Sequence, residues 1–207
     1  VIAPLKAAGC VIIHKCVTIR HAISAAKAGA DMISMDGFDC GGHPGEEDVG
    51  NWVLLAKAGR ELKRAGVPFI ASGGCATGSQ LAAALALGAE GMNMGTAFMA
   101  TAEAPVHANI KQAICDADER DTTHIFRSVK NTERVFKNKQ AAKVKEIEAE
   151  FPGEFDKIYP YVKGELYRQS FQETGDTESS VWSCGQSIGL IDEVMPCKQM
   201  VQTVVDE

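Results

Sequence analysis

No apolar run in this 207-residue sequence approaches the roughly 18–20 residues of a membrane span, so none is expected. Val1-Ile-Ala-Pro-Leu5 has neither a basic n-region nor an adequate apolar core, which argues against a secretory signal. The sequence does not start with Met, and its start reads as processed or truncated. A positive balance is also lacking: the net charge of −6 predicts no general affinity for nucleic acid or anionic membrane. Paired cysteines are missing. The seven present (Cys10, Cys16, Cys40, Cys75, Cys115, Cys184, Cys197) are odd in number, scattered, and contain no C-x-x-C. A disulfide framework or zinc site is therefore not expected, and a reducing compartment, the cytoplasm, is. Neither G-x-G-x-x-G nor a Walker A loop occurs, which disfavours a nicotinamide Rossmann site and an NTPase.

What is present is a globular composition, 45% hydrophobic and 23% charged. Residues 1–105 alternate short apolar strands with Ala-rich helices. The pattern predicts strands at Cys10–His14 (with Lys15 at the end), Asp31–Met35, Val67–Ala71 and Gly91–Met94. Helices are predicted from the Thr18 cap to Ala28, over Trp52–Ala65, and over Gly78–Leu87. Ala28-Gly-Ala-Asp31 and Leu87-Gly-Ala-Glu90 make the same helix-to-strand turn twice. Continuous apolar strands alternating with helices mean parallel β/α units, in a doubly wound sheet or a (β/α)8 barrel. In both, ligands gather at the carboxyl ends of strands.

Residues 106–178 differ. Charge density rises and strand signals fade, so this segment reads as a mostly helical inserted lid or substrate subdomain. Helices are expected at Asn109–Asp118 and Lys139–Phe151, with a short strand near Thr122–Val129. Residues 179–207 return to the earlier grammar and end in a closing amphipathic helix, Pro196–Val205.

Three glycine breaks follow predicted strands: Gly41-Gly-His43, Ser72-Gly-Gly74 and Gly95-Thr96. Glycines expose backbone N–H groups, and a helix N-terminus adds its dipole, so the last two are candidate anion sites. His43 is a candidate acid, base or hydrogen-bond donor. Lys15 is a second cation at the same end of the sheet. Asp36 and Asp39 flank the loop, where acids commonly form turns.

Asp36-Gly-Phe-x-Cys-Gly-Gly-His-Pro-Gly-Glu46, Ala71-Ser-Gly-Gly74, Leu87-Gly-Ala-Glu-Gly-x-Asn-Met-Gly-Thr96 and Gly185-Gln-Ser-Ile-Gly189 together resemble the nitronate monooxygenase family, and its relatives the flavin-dependent enoyl-acyl carrier protein reductases. The resemblance implies a (β/α)8 barrel with a smaller inserted domain and bound FMN. By motif, it makes His43 the active-site histidine and puts Lys15, Gly41 and Gly42 beside the flavin ring. Gly73, Gly74, Gly95 and Thr96 would bind the phosphate, with Asn93 and Met94 on the same segment. Gln186 and Ser187 would approach from the C-terminal region. Bacterial members often have Gln where Asp36 stands, so Asp36 puts a carboxylate near the ring. The activity implied is oxidation of an alkyl nitronate or nitroalkane by O2 to a carbonyl compound and nitrite. The alternatives are NAD(P)H-dependent enoyl-thioester reduction and a non-catalytic half-barrel fragment.

A full barrel needs about 200–250 residues before insertions. Only four strands are expected here, corresponding to barrel strands 5–8. Residues 1–105 would be the C-terminal half of the barrel, 106–178 the insertion and 179–207 the return. A truncated product, a homo-oligomer, or an N-terminal half supplied by a partner would follow.

Overall fold

A computed structural model describes residues 1–207. After a short helix α1 (Ile2–Ala7) the chain alternates β1 (Ile13–Cys16), α2 (Ile19–Lys27), β2 (Met32–Asp36), α3 (Asn51–Ala65), β3 (Phe69–Ser72), α4 (Gly78–Ala86) and β4 (Met92–Asn93). The four strands form one parallel sheet in the order β1-β2-β3-β4. The order never reverses, so each new strand adds to the same edge. The sheet is open, with β1 and β4 as its two edges.

Local signals explain the elements. Thr18 caps α2 by accepting from the His21 N–H, and Gly66, with φ +67°, ends α3 in the left-handed cap that glycine favours. Thr77 and Gln80 form a capping box at the start of α4, a device worth about 1 kcal/mol. Leu54, Leu55, Ala58 and Leu62 of α3 are buried, as their spacing predicts. They meet Cys16, Ile33, Met35, Phe69 and Ala71 in the main core.

Strand alternation then fixes what the other face carries. Lys15, Ser34 and Ile70 lie in one row across the sheet, and Asp36, Ser72 and Asn93 in the next. This face, away from the core helices, is polar at its carboxyl end. The predicted first strand was set too early: β1 starts at Ile13, so Lys15 lies inside it rather than beyond its end. Val11 and Ile13 remain exposed, because β1 has no neighbour on its outer side.

Helices α5 (Thr96–Met99) and α6 (Ala108–Cys115) lead to an antiparallel pair, β5 (Thr122–Ile125) and β6 (Glu133–Phe136). β6 was not anticipated; four residues with two charges carry little strand signal on their own. Helix α7 (Lys139–Glu150) packs Ala141, Val144 and Ile147 against this pair. Its charged face is not all solvated: the Glu148 carboxylate accepts from Phe126 N–H, Ser128 N–H and Ser128 Oγ. Short helices α8 (Phe155–Ile158) and α9 (Gly164–Arg168) follow. Trp182 then stacks on Phe136 at 4.3 Å, returning the chain to β6. The closing helix α10 (Cys197–Asp206) lies against α4, and the Glu207 carboxylate accepts from the Gly78 N–H.

One ionisable group ties stability to pH. His124 packs against Phe38 with the rings tilted, and burial, with Arg134 and Arg127 adding repulsion, pushes its pKa down to about 4. Between the ordinary value of 6.5 and about 4, the unfolded chain binds a proton that the folded chain refuses. Stability therefore falls as pH drops through that window and gains nothing from this group above it. Urea midpoints at several pH values should show that loss, and His124→Gln should flatten it.

Candidate functional site

The carboxyl ends of β2, β3 and β4 meet the turn at 183–187 around a cavity of about 230 Å³. Three loop contacts hold this convergence. Gln186 N–H donates to the Asp39 carbonyl (2.9 Å), and Gly185 N–H donates to Thr96 Oγ1 (2.9 Å). A Cβ on Gly41 would lie 2.6 Å from the Cys184 carbonyl carbon, so only glycine lets these loops meet.

Gly73 and Gly74 follow β3 with φ +84° and +69°. Their carbonyls are tied back, Gly73 by Asn51 Nδ2 and Gly74 by Gln80 Nε2 at 2.6 Å. Their N–H groups, and that of Gly95, donate to no protein acceptor. Successive unengaged amides of this kind make an anion-binding concavity. The glycines have a packing reason as well. A Cβ at Gly73 would lie 2.6 Å from Cys40 Cβ, and one at Gly74 would lie 2.8 Å from Asp39 Cβ. Gly95 differs: a Cβ there meets nothing within 4 Å.

Asp36 ends β2 only 6% exposed. Its Oδ2 pairs with Lys15 Nζ at 3.0 Å, whereas Oδ1 is buried with no partner. Lys15 Nζ also donates to the His43 carbonyl at 3.0 Å. Beside Asp36, Asn93 Nδ2 donates to Ser72 Oγ at 3.1 Å. His43 is exposed, and its Nδ1 lies 3.0 Å from the Thr132 carbonyl. A carbonyl only accepts, so neutral His43 carries its proton on Nδ1 and leaves Nε2 as an acceptor.

Of the residues singled out in the sequence, Asp36, Gly41, Gly73, Gly74, Asn93, Gly95, Thr96 and Ser187 line the cavity. Lys15 joins it through Asp36, and Gly42 pairs with Arg134 beside it. His43 and Gln186 are outside the lining, and Met94 packs against the two neighbouring apolar cores. Three cysteines also line it. Burial and then the Asp36 carboxylate push the Cys40 thiol up to about 11 and Cys75 to about 12; burial raises Cys184 as well. These thiols stay protonated near neutrality and are poor nucleophiles.

Sequence reasoning missed the supports. Asn51 and Gln80 orient the glycine carbonyls; the Thr77-x-x-Gln80 capping spacing was the available signal for Gln80. Arg134 carried no signal. It is 3% exposed, donates from Nε and Nη2 to the Phe38 carbonyl and from Nη1 to Thr122 Oγ1, and exchanges both backbone bonds with Gly42.

Two glycine substitutions should separate packing from openness. Gly74→Ala meets a positive φ and a blocked Cβ and should cost about 1–3 kcal/mol. Gly95→Ala should stay within about 0.5 kcal/mol of the parent. Chemical denaturation of both variants checks the contrast.

A probable nitronate monooxygenase of Bacillus subtilis is 31% identical over 217 residues, covering 98% of this chain and 59% of that protein. The structure of FabK from Thermotoga maritima is 36% identical with a TM-score of 0.88, covering 98% of this chain and 62% of the other. Nitroalkane oxidase from Streptomyces ansochromogenes is 26% identical with a TM-score of 0.79, covering 100% and 59%. The chain thus spans about six-tenths of the length of these relatives. The family model described as nitronate monooxygenase matches residues 1–207, and the chain belongs to that family.

Proposed function

We propose that this chain carries the phosphate-binding and proton-handling part of an FMN-dependent oxidoreductase acting on alkyl nitronates or nitroalkanes. The observation that carries the reading is the pair of unengaged amides at Gly73 and Gly74, bordering a cavity that is also lined by the buried, half-unpartnered carboxylate of Asp36. An anion and an N–H donor are what these groups lack, and a flavin mononucleotide offers both.

Gly73, Gly74, Gly95 and Thr96 would hold the phosphate. Lys15, Asp36, Gly41 and Gly42 would lie toward the ring, with Asn93 between the two groups. Met94 would act through the core beneath, and Gln186 and Ser187 would close the C-terminal side. At about 230 Å³ the cavity is smaller than the roughly 300–1,000 Å³ of whole-ligand pockets, so the ring would extend along the polar sheet face. When bound, the flavin would supply the electron-accepting chemistry, with O2 as the final oxidant. His43 Nε2 would take the α-proton of a neutral nitroalkane or hold the oxygen-rich end of a nitronate. Lys15, fixed between Asp36 and the His43 carbonyl, holds the loop that presents the imidazole.

The unreversed strand order and the exposed Val11 and Ile13 at the β1 edge support reading the sheet as strands 5–8 of a (β/α)8 barrel. Residues 1–105 and 179–207 would form this half and 106–178 the insertion. The remaining units would come from a longer polypeptide or a partner subunit. Free cysteines throughout fit a cytoplasmic setting.

A second reading is reduction of an enoyl thioester by NAD(P)H. The likeness to FabK, the higher of the structural identities above, favours it. The test separates the two. Purified protein should be yellow, and the mass of the released cofactor should be that of FMN rather than FAD. His43→Asn should keep the flavin while nitroalkane turnover falls by about 10²–10⁴. Rapid anaerobic bleaching by NAD(P)H, with no oxidation of nitronates, would select the reductase instead. Colourless protein would point to a non-catalytic fragment.

A further inference from the structure

His43 is held by a chain of contacts that reaches across 86 to 89 residues of sequence. Glu46 Oε1 accepts from the Thr132 N–H at 2.7 Å, and Glu46 Oε2 accepts from Thr132 Oγ1 at 2.6 Å. Thr132 is 1% exposed, and its carbonyl accepts from His43 Nδ1. Both donors of Thr132 therefore go to one carboxylate, and its one carbonyl goes to the imidazole. No other residue makes a side-chain hydrogen bond to that ring.

An imidazole free in water favours its proton on Nε2. The Thr132 carbonyl imposes the opposite tautomer and leaves the Nε2 lone pair free. That is the form able to take a proton from carbon. The position of the carbonyl depends on Thr132, which sits in the turn before β6, and Thr132 depends on Glu46. Glu46 itself lies three residues after His43, so it anchors both ends of the contact: the loop that carries the ring and the strand that fixes it. The loop carrying the ring is also held by Lys15, which donates to the His43 carbonyl, and by the backbone pairing of Gly42 with Arg134.

We propose that Glu46 is a positioning residue for this reaction: through Thr132 it locks His43 in the Nδ1–H tautomer, with Nε2 presented as the base. The catalytic meaning of this lock rests on the reading of His43 given above, but its existence does not.

The test is nitrogen NMR of the histidine side chains at about pH 8, where an ordinary imidazole is neutral. Wild-type His43 should show a protonated Nδ1, an unprotonated Nε2, and a coupling across the hydrogen bond to the Thr132 carbonyl. Glu46→Ala should move the ring toward Nε2–H and lower nitroalkane turnover about ten- to a hundredfold at unchanged flavin content. Glu46→Gln should retain the wild-type tautomer, because its amide oxygen can accept from the Thr132 N–H. Should Glu46→Ala not fold, Glu46→Asp, which keeps the charge but cannot span both donors, is read in the same way. A wild-type ring protonated on Nε2, or a tautomer unmoved in Glu46→Ala (or in Glu46→Asp where it stands in), overturns the proposal. Colourless protein with the predicted tautomers overturns the functional reading alone; active, flavin-loaded protein with an unmoved tautomer overturns only this one.

Discussion

The site depends on a buried cation that bonds to no carboxylate. Arg134 donates only to neutral oxygens, the Phe38 carbonyl and Thr122 Oγ1, and its guanidinium lies 5.0 Å from the centre of the Phe38 ring. Burial lowers its pKa from the ordinary arginine value, although arginine remains charged at any physiological pH. Desolvating such a group costs several kcal/mol. Charge-assisted hydrogen bonds of about 1.5–3 kcal/mol each, and the face of the ring, offset it. Those contacts need the Phe38–Gly42 loop at one distance from β6, so the cost of a displaced loop is a stranded charge. Apolar packing alone would tolerate small shifts.

From that clamp the other loops take their places. Asp39, inside the clamped segment, accepts from Asn51 N–H through Oδ2 and from Gln186 N–H through its carbonyl. Asn51 in turn donates to the carbonyls of Ser72 and Gly73. The same few residues thus fix the helix after β2, the glycines after β3 and the C-terminal turn. The sheet supplies rows of side chains, but the loops supply the amides, and the amides are aimed only because their carbonyls are held from behind.

What the sequence made legible was local. Helix boundaries followed from Thr18, Gly66 and the apolar face of α3, because capping and periodicity act within a few residues. The glycine breaks fall after β2, β3 and β4, where Gly41, Gly73, Gly74 and Gly95 line the cavity. Their reason was read incompletely: a side chain at Gly73 or Gly74 would strike Cys40 or Asp39, so loop packing demands glycine there before any ligand does. Arg134, Thr132, Glu46 and Glu148 were illegible as supports because each acts on residues 12 to 96 positions away. A charged residue in a polar stretch looks the same whether it faces water or holds a buried amide. Lys15 shows the cost of a boundary error: set beyond the strand it was only a nearby cation, whereas within β1 it lies one strand from Ser34 and reaches Asp36.

Asp36 brings these scales together. A carboxylate this buried has two oxygens to satisfy, and the protein satisfies one, through a lysine that is itself about half exposed. Leaving a buried acceptor unpaired costs about 1–3 kcal/mol, more when it is charged. Simpler folds would avoid it with a second donor from the neighbouring strand, yet the residues beside it in its row, Ser72 and Asn93, bond to each other. The free amides of Gly73, Gly74 and Gly95 border the same cavity and lack acceptors. Unmet acceptor and unmet donors thus share one space without meeting each other. A ligand with an anionic end and an N–H edge relieves both, and this mutual deficit is the physical argument for a cofactor of that chemistry here.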